Sequence, residues 1–131
     1  WMEQLRCVFL EREDPRKAAA ALGEAVRLVA GGESMVIFPE GTRSKGPQMG
    51  EFKGGAFRVA LKTGAPIVPM AIDGSYRIME AHGVWIHPAR VQVSVLPPLS
   101  TAGMSREEAK ALPEKVKGLI QQELDRLRSA R

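Results

Sequence analysis

The sequence is poor in residues that cross-link, coordinate metals or stack on bases. It holds one cysteine, two histidines and only 5% aromatics in 131 residues. A lone cysteine excludes an internal disulfide framework, and no Cys/His spacing suits a zinc site, so no metal is expected. Cys7 is expected to be a small buried apolar residue in a strand, and a reducing, cytosolic setting fits it. No apolar run reaches the ~18 residues of a spanning helix, and no signal-peptide pattern opens the chain. Membrane association is therefore expected to be peripheral, or to depend on a segment outside this sequence. The chain opens on Trp1 rather than Met, as a processed chain or a piece of a longer protein would.

What is present fits one modest globular unit. Apolar residues make up 44%, enough for one core, and charged residues 26%, too balanced for a disordered tract. The formal net charge is +4, which suits anionic partners such as lipid headgroups, phosphorylated substrates or an acidic carrier protein. Nucleic acid is disfavoured, because few aromatics are interleaved with the basic residues to form a stacking platform. Arg43, Lys45, Lys53, Arg58 and Lys62 cluster in a short stretch opposed only by Glu51.

Local signals predict alternating strands and helices. Arg6 to Leu10 reads as a short strand, followed by Asp14 as an N-cap and Pro15 at the first helical position. Ala18, Leu22, Ala25, Val26 and Val29 recur at helical spacing, and Gly31 and Gly32 stop that helix. Met35 to Phe38 reads as a buried strand and Pro39 to Gly50 as a loop. Gly54 to Thr63 reads as a second helix, ended by Gly64. Ile67 to Ile72 is a strand in which Pro69 implies an edge or a bulge. In Arg90 to Leu96, Val91, Val93 and Val95 alternate with Gln92 and Ser94, as in a half-exposed strand. Ser105 and Glu108 form a capping box. Pro113 is expected to break or restart the helix that follows. Beyond it Val116, Leu119, Ile120, Leu124 and Leu127 make an amphipathic stripe, better suited to packing on a sheet than to a membrane surface. The expected fold class is α/β, a mixed sheet flanked by helices.

The most informative string is Phe38-Pro39-Glu40-Gly41-Thr42-Arg43-Ser44, set at the end of a predicted strand. Such a loop can aim backbone N–H groups, a threonine hydroxyl and a guanidinium at one point, which suits a phosphate monoester. Gly41 permits close backbone approach. Glu40 would repel an anion if it faced one, so it is expected to turn away and anchor the loop. Taken by itself the string fits a surface turn almost as well. Two other strings are decoys. Lys62-Thr63-Gly64 lacks any accompanying Ser-x-x-Lys, and Leu61 stands where a nucleotide P-loop needs glycine.

Together these strings resemble the glycerolipid acyltransferases typified by 1-acylglycerol-3-phosphate acyltransferase. Phe38 to Ser44 matches that family's third sequence block in full, and Ile67 to Ile72, with Val68-Pro69, matches its fourth. Phe52-Lys53-Gly54-Gly55 is similar to the stretch after the third block. Phe9 and Arg12 fit the second block, although Arg6 stands where a glycine is usual. The resemblance implies that residues 1–131 are the later portion of a glycerol-phosphate acyltransferase-like domain. Its phosphate-binding loop would span 38–44 and its C-terminal amphipathic helix about 105–128.

By the same resemblance, Arg43 and Arg12 would hold the acceptor's phosphate. Glu40, Gly41 and Thr42 would shape the site and Lys53 would add charge. The acceptor would be lysophosphatidic acid or a related glycerol phosphate. Acyl-CoA or acyl carrier protein would bring the fatty acyl thioester as co-substrate, with no cofactor. The setting would be the cytoplasmic face of a membrane, reached peripherally or through an anchor elsewhere in the protein.

One part of the pattern is missing. Acyl transfer to a hydroxyl needs a base, supplied in this family by a His-x-x-x-x-Asp block ahead of the second block. The histidines here are His82 and His87, followed five positions later by His87 and Gln92. No catalytic pair is assigned, and the chain as it stands is expected to be inactive. The alternative is a non-catalytic phosphate- or lipid-binding module. A sheet lacking its opening strands is expected to leave an apolar face or edge uncovered, and so to aggregate or dimerise.

Overall fold

The computed structural model describes Gln4, Cys7, Val8 and residues 14–130. The expected strand at Arg6 to Leu10, and with it Arg12, lies largely outside the described residues. Cys7 itself is exposed, not buried.

The first helix, α1, spans Pro15–Ala30. Asp14 caps it, its carboxylate accepting from the Arg16 and Lys17 backbone N–H groups at 2.9 and 3.4 Å. Ala21 and Ala25 are its buried residues, and it packs against a second, short helix, α2 (Arg58–Thr63). A single 3-10 turn, Gly54–Phe57, leads into α2, and Gly64 ends it in the left-handed conformation.

The only sheet among the described residues is an antiparallel pair, β1 (Met70–Asp73) with β2 (Gln92–Val95). The register places Met70 opposite Val95 and Asp73 opposite Gln92. Helices with a sheet fit the expected α/β class, but among the described residues the sheet is an antiparallel ribbon rather than a mixed one. Met35 to Phe38 lies outside any strand, with Val36 77% and Phe38 71% exposed. A strand is buried by its neighbours, and this segment has none beside it among the described residues.

Pro69 marks a bulge, as its position implies. Ile67 pairs with Leu99 through two backbone hydrogen bonds of 2.9 and 2.7 Å, and the Pro69 carbonyl accepts from the Leu96 N–H at 2.9 Å. Between that bridge and the ladder, Val68 and Pro69 face Leu96, Pro97 and Pro98, one residue more on the second side. At the far end of β1, Gly74 has φ +89, and a Cβ there would stand 2.5 Å from the Arg90 carbonyl oxygen. Only glycine fits that crossing.

The last helix, α3 (Arg106–Ser129), covers one face of the ribbon. The capping box is formed, with Glu108 N–H donating to Ser105 Oγ at 3.1 Å and Ser105 N–H to Glu108 Oε2 at 2.9 Å. Contrary to expectation, the helix runs through Pro113. Proline forfeits one backbone bond there, while Leu112 and Val116 on either side continue the buried stripe. The core joins Leu112, Val116, Ile120, Leu124 and Leu127 to Phe57 and Ala71, flanked by Phe52, Leu61 and Leu99.

Candidate headgroup-binding site

The loop from Phe38 to Ser44 is closed by its own turn and by the segment after it. Gly41, at φ +68, donates its N–H to the Phe38 carbonyl at 3.0 Å. Lys53 N–H holds the Pro39 carbonyl at 2.8 Å, which seats Lys53 beside the loop. Glu40 turns inward. Its carboxylate accepts from Ser44 Oγ at 3.0 Å and from Gly50 N–H at 2.8 Å, stitching both ends of the loop together. A carboxylate saturated by such donors is an anchor rather than a ligand-facing charge.

Arg43 points outward, its side chain 75% exposed, with Nη1 3.3 Å from Glu80 Oε1. Thr42 and Lys53 are exposed on the same loop system. Arg12, expected to share the phosphate with Arg43, lies outside the described residues. Among the described residues, the structure brings Glu40, Gly41, Thr42, Arg43 and Lys53 together as an exposed cationic shelf. A hollow of about 360 Å³ elsewhere is lined by Ser100, Met104, Glu108 and Lys115 and includes none of these residues.

A second layer holds the shelf in place. Arg128, on the final turn of α3, donates through Nε to buried Asp73 at 2.9 Å and through Nη2 to the Pro47 carbonyl at 2.7 Å. One side chain thus ties α3, β1 and the loop. Next to it, Glu123 accepts from Ser94 Oγ at 2.6 Å and from Arg126 Nε at 2.9 Å. The hydrogen bonds from Arg126 and then Ser94 draw the Glu123 carboxyl down to about 2.

Neither Arg128 nor Glu80 carries a sequence signal, since each meets its partner only through the fold. The two histidines lie on an exposed loop, their rings 4.1 Å apart between centroids. Asp73, the aspartate nearest to them in sequence, is paired with Arg128.

The Acyltransferase family model matches residues 1–73, more than half of the chain. The chain belongs to the acyltransferase family. This acyltransferase chain is 46% identical over 78 residues to the chloroplastic 1-acyl-sn-glycerol-3-phosphate acyltransferase BAT2 of Brassica napus, covering 60% of the chain and 23% of that protein. It is 30% identical over 121 residues to the 1-acyl-sn-glycerol-3-phosphate acyltransferase of Borreliella burgdorferi, covering 92% of the chain and 48% of that protein. Its fold is similar to the crystal structure of the 1-acyl-sn-glycerophosphate (LPA) acyltransferase PlsC from Thermotoga maritima. The TM-score is 0.81 at 30% identity, over 97% of this chain and 49% of that one. The acyltransferase chain spans half or less of the length of these relatives.

Proposed function

We propose that this chain is the headgroup-binding portion of an enzyme that acylates lysophosphatidic acid or a related glycerol phosphate in phospholipid synthesis. The carrying observation is the inward turn of Glu40, which leaves Arg43 as the charge presented by a loop whose sequence matches the family in full. Arg43 would grip the phosphate through its planar fork, with Lys53 and Arg12 adding charge and Thr42 a hydroxyl.

In the reaction, the acceptor's free hydroxyl oxygen attacks the thioester carbonyl of acyl-CoA or acyl carrier protein. A C–O bond forms, the C–S bond breaks, and the hydroxyl proton passes to a base while the thiol leaves. No His-x-x-x-x-Asp occurs in the 131 residues, so the role of this chain is to hold the acceptor. That same fact favours a second reading, a phosphate- or lipid-binding module without turnover. The work would take place at a membrane surface, on its cytoplasmic face.

Calorimetric titration with glycerol 3-phosphate tests the binding role. Arg43→Ala should weaken binding by about 10- to 100-fold, the worth of a hydrogen bond to a charged group; an unchanged affinity refutes it. An acyl-transfer assay on the chain alone should show no turnover. Turnover abolished by His82→Ala would instead place the base on the histidine loop. A longer natural chain bearing His-x-x-x-x-Asp ahead of Trp1 should transfer acyl groups, which separates the enzyme from the binding module.

A further inference from the structure

The amphipathic stripe of α3 is spent on the core, since Leu112, Val116, Ile120, Leu124 and Leu127 are all buried. No helix among the described residues is long and apolar enough to cross a membrane. A different element has the makings of a lipid contact. Between β1 and β2 the chain projects a closed loop from Ile78 to His87. At its neck His87 N–H donates to the Ile78 carbonyl and His82 N–H to the Met79 carbonyl, both at 2.8 Å. The His82 and His87 rings lie against one another across the neck.

Every residue from Ala81 to Pro88 is exposed. The tip consists of three successive large apolar side chains: Val84 at 84%, Trp85 at 74% and Ile86 at 77% exposure. Scattered exposed apolar residues are ordinary, but a run of three at a loop tip marks a contact surface. Its shoulders are cationic. Arg77 and Arg90 are exposed, and Glu80, the only carboxylate between Ser75 and Arg90, is engaged by Arg43.

We propose that the loop 78–87 is a membrane-insertion finger. Val84, Trp85 and Ile86 enter the interfacial zone of an anionic bilayer, and Arg77 and Arg90 meet lipid phosphates. Tryptophan favours that zone because its ring is apolar while its N–H stays near polar groups. The charge distribution selects lipid as the occupant: an apolar apex ringed by cations matches a hydrocarbon interior beneath anionic headgroups. A tip this narrow offers a protein partner little area. The Glu80–Arg43 contact would hold the shelf at a fixed height above the bilayer, and this one consequence rests on the headgroup reading. Insertion itself does not.

The test uses Trp1→Phe, which leaves Trp85 as the sole tryptophan. On addition of phosphatidylcholine vesicles containing phosphatidylglycerol, Trp85 emission should shift to the blue and be quenched by lipids brominated on their acyl chains. Replacing Val84, Trp85 and Ile86 together by serine should weaken vesicle binding at least about tenfold, since burying even one large apolar side chain is worth that much. Far-ultraviolet circular dichroism should be unchanged. Arg77→Ala with Arg90→Ala should weaken binding to the anionic vesicles more than to purely zwitterionic ones.

Unshifted Trp85 emission, or a triple-serine variant that binds vesicles as tightly, overturns the finger. So does a blue shift that depends on protein concentration without vesicles, which would indicate self-association. Glycerol 3-phosphate binding, measured separately, distinguishes the failures. Its retention without vesicle insertion sinks the finger alone, and its loss with insertion intact sinks the headgroup reading alone.

Discussion

The two faces of the β1–β2 ribbon invert the usual assignment. Beneath α3 lie Ala71 and Asp73 with Gln92 and Ser94, while Met70, Ile72, Val93 and Val95 stand exposed on the other side. The covered face tolerates polar side chains because α3 brings their partners, Glu123 to Ser94 and Arg128 to Asp73. No buried side-chain polar atom among the described residues lacks a hydrogen bond. The open face is a hydrocarbon surface, and Val36, Ile37 and Phe38 are exposed as well. Packing, not polarity, therefore decides which side is inside: a face is interior where a helix covers it and satisfies its polar groups.

Substitutions under α3 should be the most damaging. Leu112→Ala, at a side chain 1% exposed, should cost about 2–5 kcal/mol in urea denaturation. Arg128→Met should cost less, about 1–3 kcal/mol, because it leaves the Asp73 carboxylate buried without this donor. It should also raise amide exchange at Gly50, since the Pro47 tether is lost.

The Glu123 cluster gives a pH signature. Its folded pKa is depressed to about 2 from the ordinary glutamate value of 4.5. The stabilisation is therefore present above about 4.5 and is lost as pH falls toward 2. Glu123→Gln should flatten that part of the stability–pH curve, as read from thermal melts. On the open face, Ile72→Thr with Val93→Thr should change stability by no more than about 0.5 kcal/mol each and should lower self-association in sedimentation. A large loss of stability there would mean that this face is packed after all.

Much of the local structure was legible because its causes are local. Asp14 with Pro15, Gly64, and Ser105 with Glu108 act within a few residues, and each does what its chemistry predicts. The α3 stripe was legible from its period, apart from Leu112 ahead of the proline. Pro113 was misread because buried neighbours outweigh one lost backbone bond. Met35 to Phe38 and Cys7 were misread because burial depends on what lies alongside, which no short window contains. The alternation of Val91, Val93 and Val95 is real, but a period of two cannot say which face is covered. At the site, Glu40 was readable as an anchor from its charge alone. Glu80 and Arg128 were not, since their partners lie far away in sequence.

Arg128 reaches back 81 positions to grip Pro47. During synthesis the shelf must wait for the closing turn of α3 to leave the ribosome before it can be locked in shape. Clipping or crowding at that distant turn would thus loosen the loop that Arg128 tethers, and a purification tag is safest kept away from it.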